Sequence, residues 1–209
     1  MRLTKFSHAC IRAEGDGVLV IDPGTFSERA ALDGVDAVLI THEHADHLDV
    51  DALTEALARR PAVRIFTPAE VEPKLGDLAS ATATVATGDE FTAAGFAVKA
   101  YGGRHAVIHP DIPQIANLGY LLDGRVYHPG DSFDVPGDAE VDTLFVPVSA
   151  PWLKASESVD FIRSVRPRHA YALHDALLND LFAGLVNGLL NRLAGAEYRR
   201  LDAGESLTV

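Results

Sequence analysis

Short apolar runs separated by turn residues set the rhythm of this chain. They predict strands over residues 2–6, 9–13 and 18–21, with Glu14-Gly15-Asp16-Gly17 turning the hairpin between the last two. A buried strand follows over 37–40. Further strands are expected over 63–66, 83–87, 96–101, 118–122, 125–128, 143–147 and 170–173, and the series closes with 197–199 and 206–209. Helical spacing sits between them. Val50, Leu53, Ala56 and Leu57 mark one face of a helix over 50–60 that Pro61 stops. A weaker helical pattern covers 69–75, and a helix is expected over 158–165, ending before Pro167. A long helix over 180–193 is followed by Gly195.

Strands dominate both halves and helices are interspersed. This suits a mixed α/β chain with two sheets packed face to face and helices outside, a four-layer αββα sandwich forming one domain over 1–209. A doubly wound parallel sheet would want a helix after nearly every strand, which the hairpin between 9 and 21 contradicts.

Composition narrows the picture. A 47% hydrophobic and 23% charged chain of 209 residues has the ordinary make-up of a soluble globular protein. Its formal charge of -12 repels phosphate backbones and anionic lipid, which disfavours a nucleic-acid substrate. No run reaches the ~18 apolar residues of a membrane span, and the N-terminus lacks a signal-peptide pattern. The lone Cys10 can form neither an internal disulfide nor a thiolate zinc site, so it reads as a small buried residue. A cytoplasmic protein without membrane or nucleic-acid partners is the expectation; oligomeric state is not readable.

The chemistry concentrates in Thr41-His42-Glu43-His44-Ala45-Asp46-His47, directly after the strand over 37–40. An H-x-H-x-D-H string should arise by accident in roughly one or two chains per thousand of this composition. Neutral imidazoles with a carboxylate suit zinc or a similar divalent ion. One tetrahedral ion needs at most four protein ligands, so four local candidates plus distant ones point to two ions. Two ions would lower the pKa of a bridging water, giving a hydroxide nucleophile, and polarise a carbonyl or phosphoryl oxygen. Asp46 can ligate, orient the hydroxide and carry a proton to the leaving group.

With these residues in place, the sequence resembles the metallo-β-lactamase superfamily along essentially its whole length. That family's pattern continues with a lone histidine, an aspartate in a Gly-Asp pair and a last histidine, each at a strand's end. Gly102-Gly103-Arg104-His105, Pro129-Gly130-Asp131-Ser132 and His174 match it. The resemblance implies that His42, His44 and His105 hold one ion. Asp46, His47 and His174 would hold the other, with Asp131 bridging. The stretch around His8 and the Ile21-Asp22-Pro23-Gly24 turn is similar to the compact metal-dependent hydrolases related to ascorbate-6-phosphate lactonase. There, His8 would have a counterpart near the metal pocket, touching substrate or the ligand shell. Asp22 would hydrogen-bond a ligating histidine from outside, or serve only as a turn carboxylate.

Other residues have plainer readings. His109 and His128 are weaker site candidates, and His169 should lie at the far end of the strand that leads to His174. Arg104 could face an anionic substrate or pair with a carboxylate. Asp175 and Asn179 could line the mouth or start a helix. Trp152 could wall the pocket or simply pack.

The intervals between His47, His105, Asp131 and His174 are filled by the fold's own elements. They leave no room for a nuclease-type cap, and the 35 residues after His174 are expected to go into the helix and final strands rather than the helical domain of glyoxalase II. The expected activity is therefore hydrolysis of a small-molecule ester, lactone or phosphodiester, with zinc as the first candidate metal and manganese or iron open. Two rivals keep the fold: a di-iron redox protein, whose branch uses glutamate where this chain has His44, and a non-catalytic metal-binding module. The loops over 106–117 and 134–142 shape the pocket without naming the substrate.

Overall fold

The computed structural model describes residues 1–137 and 139–209; Asp138, inside the expected 134–142 loop, lies outside them. The first half of the chain supplies β1 (Arg2–Lys5), β2 (Ile11–Glu14), β3 (Val18–Ile21), β4 (Ala37–Leu39), α1 (Val50–Arg59), β5 (Arg64–Thr67) and β6 (Thr82–Thr84). The second half supplies β7 (Glu90–Ala93), β8 (Phe96–Arg104), β9 (Ala116–Leu122), β10 (Val126–His128), β11 (Thr143–Pro147), α2 (Ala155–Val165), β12 (His169–Leu173), α3 (Asp180–Leu193) and β13 (Glu197–Arg199). The last strand, β14 (Ser206–Thr208), returns to the first sheet. Two seven-stranded sheets result, ordered β14-β1-β2-β3-β4-β5-β6 and β13-β12-β11-β10-β9-β8-β7.

Three apolar layers show how they stack. Leu3, Ile11, Leu19 and Leu39 of the first sheet interlock with Val98, Leu118, Tyr120 and Phe145 of the second, so this layer lies between the sheets. Val20, Val38 and Ile65 face the other way onto Leu53 and Ala56 of α1. Leu144, Val146 and Ala172 face outward onto Phe161 and Ile162 of α2 and Val186 and Leu190 of α3. Alternate residues of one strand thus enter different cores, as a period of two requires. The arrangement is the expected αββα sandwich.

Strand direction decides where function can collect. β3, β4, β5 and β6 run parallel, as do β10, β11, β12 and β13. β8 is antiparallel to β9, which is antiparallel to β10, so β8 also runs with β10. The carboxyl ends of β3 and β4 emerge together, and so do those of β8, β10, β11 and β12. In sheets of this kind the loops at those ends build the site.

Some expected elements shift. The 9–13 strand begins only at Ile11, because His8 has φ 64° and turns the chain before it can pair. The helix expected over 69–75 is replaced by short 3-10 turns at Glu72–Lys74 and Gly76–Ala81; Pro73 sits in the first and Gly76 breaks between them. The strand expected over 83–87 shortens to β6. α2 starts at Ala155, earlier than its apolar pattern, because the Glu157 carboxylate accepts from the Lys154 N–H at 2.6 Å and caps the first turn. β7, an edge strand with a single buried residue, adds to the elements that the apolar pattern predicts.

Candidate metal centre

Five histidines and two aspartates from distant parts of the chain meet at the carboxyl ends of these strands, with His8 joining them. Two groups form within which the potential ligand atoms lie within 4.8 Å of one another: His42, His44, His105 and Asp131; and His8, Asp46, His47 and His174. Asp131 reaches both. Its Oδ1 is 3.2 Å from His47 Nε2, and its Oδ2 is 3.1 Å from His174 Nε2 and 3.4 Å from His105 Nε2. All seven residues expected as ligands are therefore in one place, and all but His44 and Asp46 are buried.

Four of the five imidazoles, His44 excepted, are aimed by what their outer nitrogens touch. His47 Nδ1–H donates to Asp22 Oδ2 at 2.7 Å, and His105 Nδ1–H to the Ala106 carbonyl at 2.6 Å. His174 Nδ1–H donates to the Ser149 carbonyl. The Thr41 hydroxyl donates to Asp22 at 2.7 Å and accepts from His42 Nδ1–H at 2.9 Å. Asp22 also accepts the Thr41 N–H at 2.8 Å, so this fully buried carboxylate fixes the ligand string at three points. Anchoring Nδ1 turns Nε2 inward with its lone pair free, which is how outer partners prepare histidines for a metal.

The string is clamped from behind as well. Thr25 N–H donates to Ala45 O and Asp49 N–H to Pro23 O. Gly24 lies so close that an added Cβ would stand 1.9 Å from the Asp46 carbonyl oxygen, so only glycine fits. Tyr120 OH donates to Ile40 O across the sandwich at 2.9 Å. Asp131 is held by buried Asn117, whose Oδ1 accepts the Asp131 N–H and whose Nδ2 donates to Pro129 O, both at 2.9 Å. Nothing along the chain marks Asn117 or Tyr120; their roles depend on neighbours in the folded sheets. Among the described residues, His8, Asp22 and His174 are three of the six non-glycine positions with positive φ, so backbone strain is concentrated here.

The cluster's electrostatics call for a cation. Burial disfavours charge on His42, His44 and His8. It holds His42 well below the usual histidine value, helped by His47, and it also lowers His44 and His8. Burial opposes charge on His47 too, but Asp131 and Asp22 outweigh it and raise that histidine well above normal. His174 is likewise raised to about 9 by Asp131 and Asp46 against its burial. Both carboxylates are lowered against their own burial, Asp131 by His47 and His174 and Asp46 by His174 and His8. Meanwhile His47 Nε2, His105 Nε2 and Asp131 Oδ1 are buried with no hydrogen-bond partner. Orphaned inward donors around two carboxylates fit divalent ions.

The remaining candidates divide. Trp152 lies against the cluster: its Nε1–H donates to Asp131 Oδ2 at 3.3 Å, and its ring meets His105 edge-on at 5.8 Å. Arg104 borders a cleft of about 470 Å³ beside His105. His128 is structural, with Nε2–H donating to Ala9 O and Nδ1 accepting from Gly130 N–H. His109 is exposed, and His169 at the opposite end of β12 pairs with Glu197 at 3.1 Å. Asn179 caps α3 by accepting from Phe182 N–H, and Asp175 pairs with Lys5 and Arg200. Among the described residues no helix is long and apolar enough to cross a membrane.

Comparison with known proteins identifies the family. Residues 2–174 match the family described as the beta-lactamase superfamily domain. Protein Rv0786c of Mycobacterium tuberculosis is 40% identical, with the match covering 100% of both chains. UPF0173 protein PYRAB01190 of Pyrococcus abyssi is 30% identical over 83% of each. Among solved structures, Igni18, a metallo hydrolase from the archaeon Ignicoccus hospitalis, superposes with a TM-score of 0.75 at 21% identity, covering 99% of this chain and 97% of that one. The chain belongs to the beta-lactamase superfamily.

Proposed function

We propose that this protein is a metal-dependent hydrolase that holds two divalent ions and cleaves a small ester, lactone or phosphodiester. The observation that carries the reading is Asp131: one buried carboxylate, with oxygens facing histidines of both ligand groups, separates two sets of donors. His42, His44 and His105 would hold one ion and Asp46, His47 and His174 the other, with Asp131 shared. Their imidazole and carboxylate donors suit zinc first, with manganese or iron also accommodated. The bound ions would supply an activated water and a Lewis-acid contact for the substrate's carbonyl or phosphoryl oxygen.

The chain's own groups do the rest. Asp46 is the least buried carboxylate of the centre and the one placed to take and return a proton. Its Oδ2 accepts from His8 Nε2–H at 2.9 Å and lies 3.3 Å from His174 Nε2. His8 is itself held in place, because its ring packs on His174 at 3.9 Å and its carbonyl accepts the His174 N–H. His8 is thus a positioning residue for Asp46, and its place in the second ligand group also leaves it within reach of that ion.

The test is hydrolysis of bis(p-nitrophenyl) phosphate and a simple lactone by metal-loaded protein, wild type against Asp46→Asn. The proposal expects the variant to lose at least about a hundredfold, the usual scale for a proton-transfer group. Full rate in the variant rejects the assigned role.

A further inference from the structure

Large apolar side chains are exposed on the segments that leave this site. Asp22, His105, Asp131 and His174 all belong to the centre, and a large hydrophobic follows each at most four positions further along: Phe26, Val107, Val135 and Leu177. All four are exposed, at 44%, 58%, 43% and 70%. Chain length alone keeps each within about 14 Å of its cluster residue. Phe26 closes the distance further, with its ring edge-on to His8 at 5.1 Å. Phe133 lines the cleft of about 470 Å³ beside His105 and meets Trp152 at 5.4 Å. That volume suits a small organic ligand. Exposed apolar groups cost solubility unless they bind something, and here each hangs from a segment that leaves the reactive centre.

Resting on the hydrolase reading above, we infer that the substrate is a neutral acyl ester or lactone with an apolar body, and that this rim grips the body. Charge points the same way. Arg104 shares the cleft lining with Asp134, and the chain as a whole carries -12, so a phosphorylated or otherwise anionic substrate gains little at the mouth. Hydrolysis adds water across the acyl C–O bond, leaving a carboxylic acid and an alcohol, with no further reactant. The apolar body would stay outside the metal centre, with the carbonyl turned into it.

Two readouts test this. With metal-loaded protein, kcat/KM for neutral p-nitrophenyl esters should rise from acetate to octanoate by roughly fourfold per methylene buried. The double variant Val107→Ser with Leu177→Ser should cut the octanoate-to-acetate ratio at least tenfold. Leu193→Ser, an exposed apolar residue at the far end of α3, should leave that ratio unchanged. Independently of turnover, octanamide should saturably change the fluorescence of Trp152, the single tryptophan, at lower concentration than acetamide or octyl phosphate does. Binding of octanamide by protein that cleaves no ester, lactone or bis(p-nitrophenyl) phosphate would leave the apolar site standing and reject the hydrolase reading. A flat chain-length series, preference for octyl phosphate, or a double variant that breaks a dimer without moving the ratio overturns the inference.

Discussion

The two ends of β12 carry a histidine each, and the pair shows what makes a site. His169 opens the strand, half-buried, beside the exposed carboxylate of Glu197. His174 follows the strand's last residue, buried, with positive φ, its Nδ1–H fixed by the Ser149 carbonyl and its Nε2 facing two carboxylates. The same residue type on the same strand thus meets opposite surroundings. The parallel direction of β10, β11 and β12 brings the three carboxyl ends together, whereas at the amino ends His169 meets the carboxylates of Glu197 and Asp142. Function follows strand polarity here, and residue identity alone would not separate the two histidines.

Replacing both breaks the comparison most sharply. His174→Ala should lower hydrolysis by at least about a hundredfold and reduce bound metal, because it removes a ligand from the group it forms with Asp46 and His47. His169→Ala should change stability by within about 0.5 kcal/mol and leave activity intact, as exposed pairs contribute little. Thermal melts and metal analysis of the two variants side by side check this. Equal effects would mean that the two ends are not different in kind.

Next in size is the scaffold behind the string. Gly24→Ala forces a methyl onto the Asp46 carbonyl and should cost about 1–3 kcal/mol by overpacking, measured in urea. Asp22→Asn removes charge from the acceptor of three hydrogen bonds. It should weaken metal binding by about 10–100-fold while changing no ligand. If Asp22→Asn binds metal as wild type does, the carboxylate is a turn residue only.

The smallest effect concerns Cys10. Burial pushes its thiol up to about 12, helped by Asp22 and Glu28, so almost no thiolate exists near neutrality. Iodoacetamide should leave the native protein unmodified and label it on unfolding, as mass spectrometry would show.

How much of this is legible in the sequence follows from the same physics. The string His42–His47 is local, so spacing alone reveals it. His105, Asp131 and His174 lie after apolar strand runs, but it is the resemblance to the metallo-β-lactamase superfamily, with its lone histidine, Gly-Asp pair and last histidine, that singles them out. Asn117 and Tyr120 carry no such signal. One is buried polar and the other buried aromatic within a strand whose seven residues are all buried, and only the meeting of two sheets gives them Asp131 and Ile40 as partners. β7 escapes the pattern because three of its four residues are not buried, leaving no apolar alternation to read. His8 lies between these cases: visible as a lone histidine, but placed against Asp46 only by a backbone turn that its own type does not favour.

The central claim is a two-ion centre shared through Asp131, and counting metal tests it most directly. Untagged protein loaded with zinc, dialysed and measured by emission spectrometry should retain two equivalents per chain, and Asp131→Ala should fail to retain both. One equivalent or none in the wild type, or two held with undiminished affinity by Asp131→Ala, would contradict it.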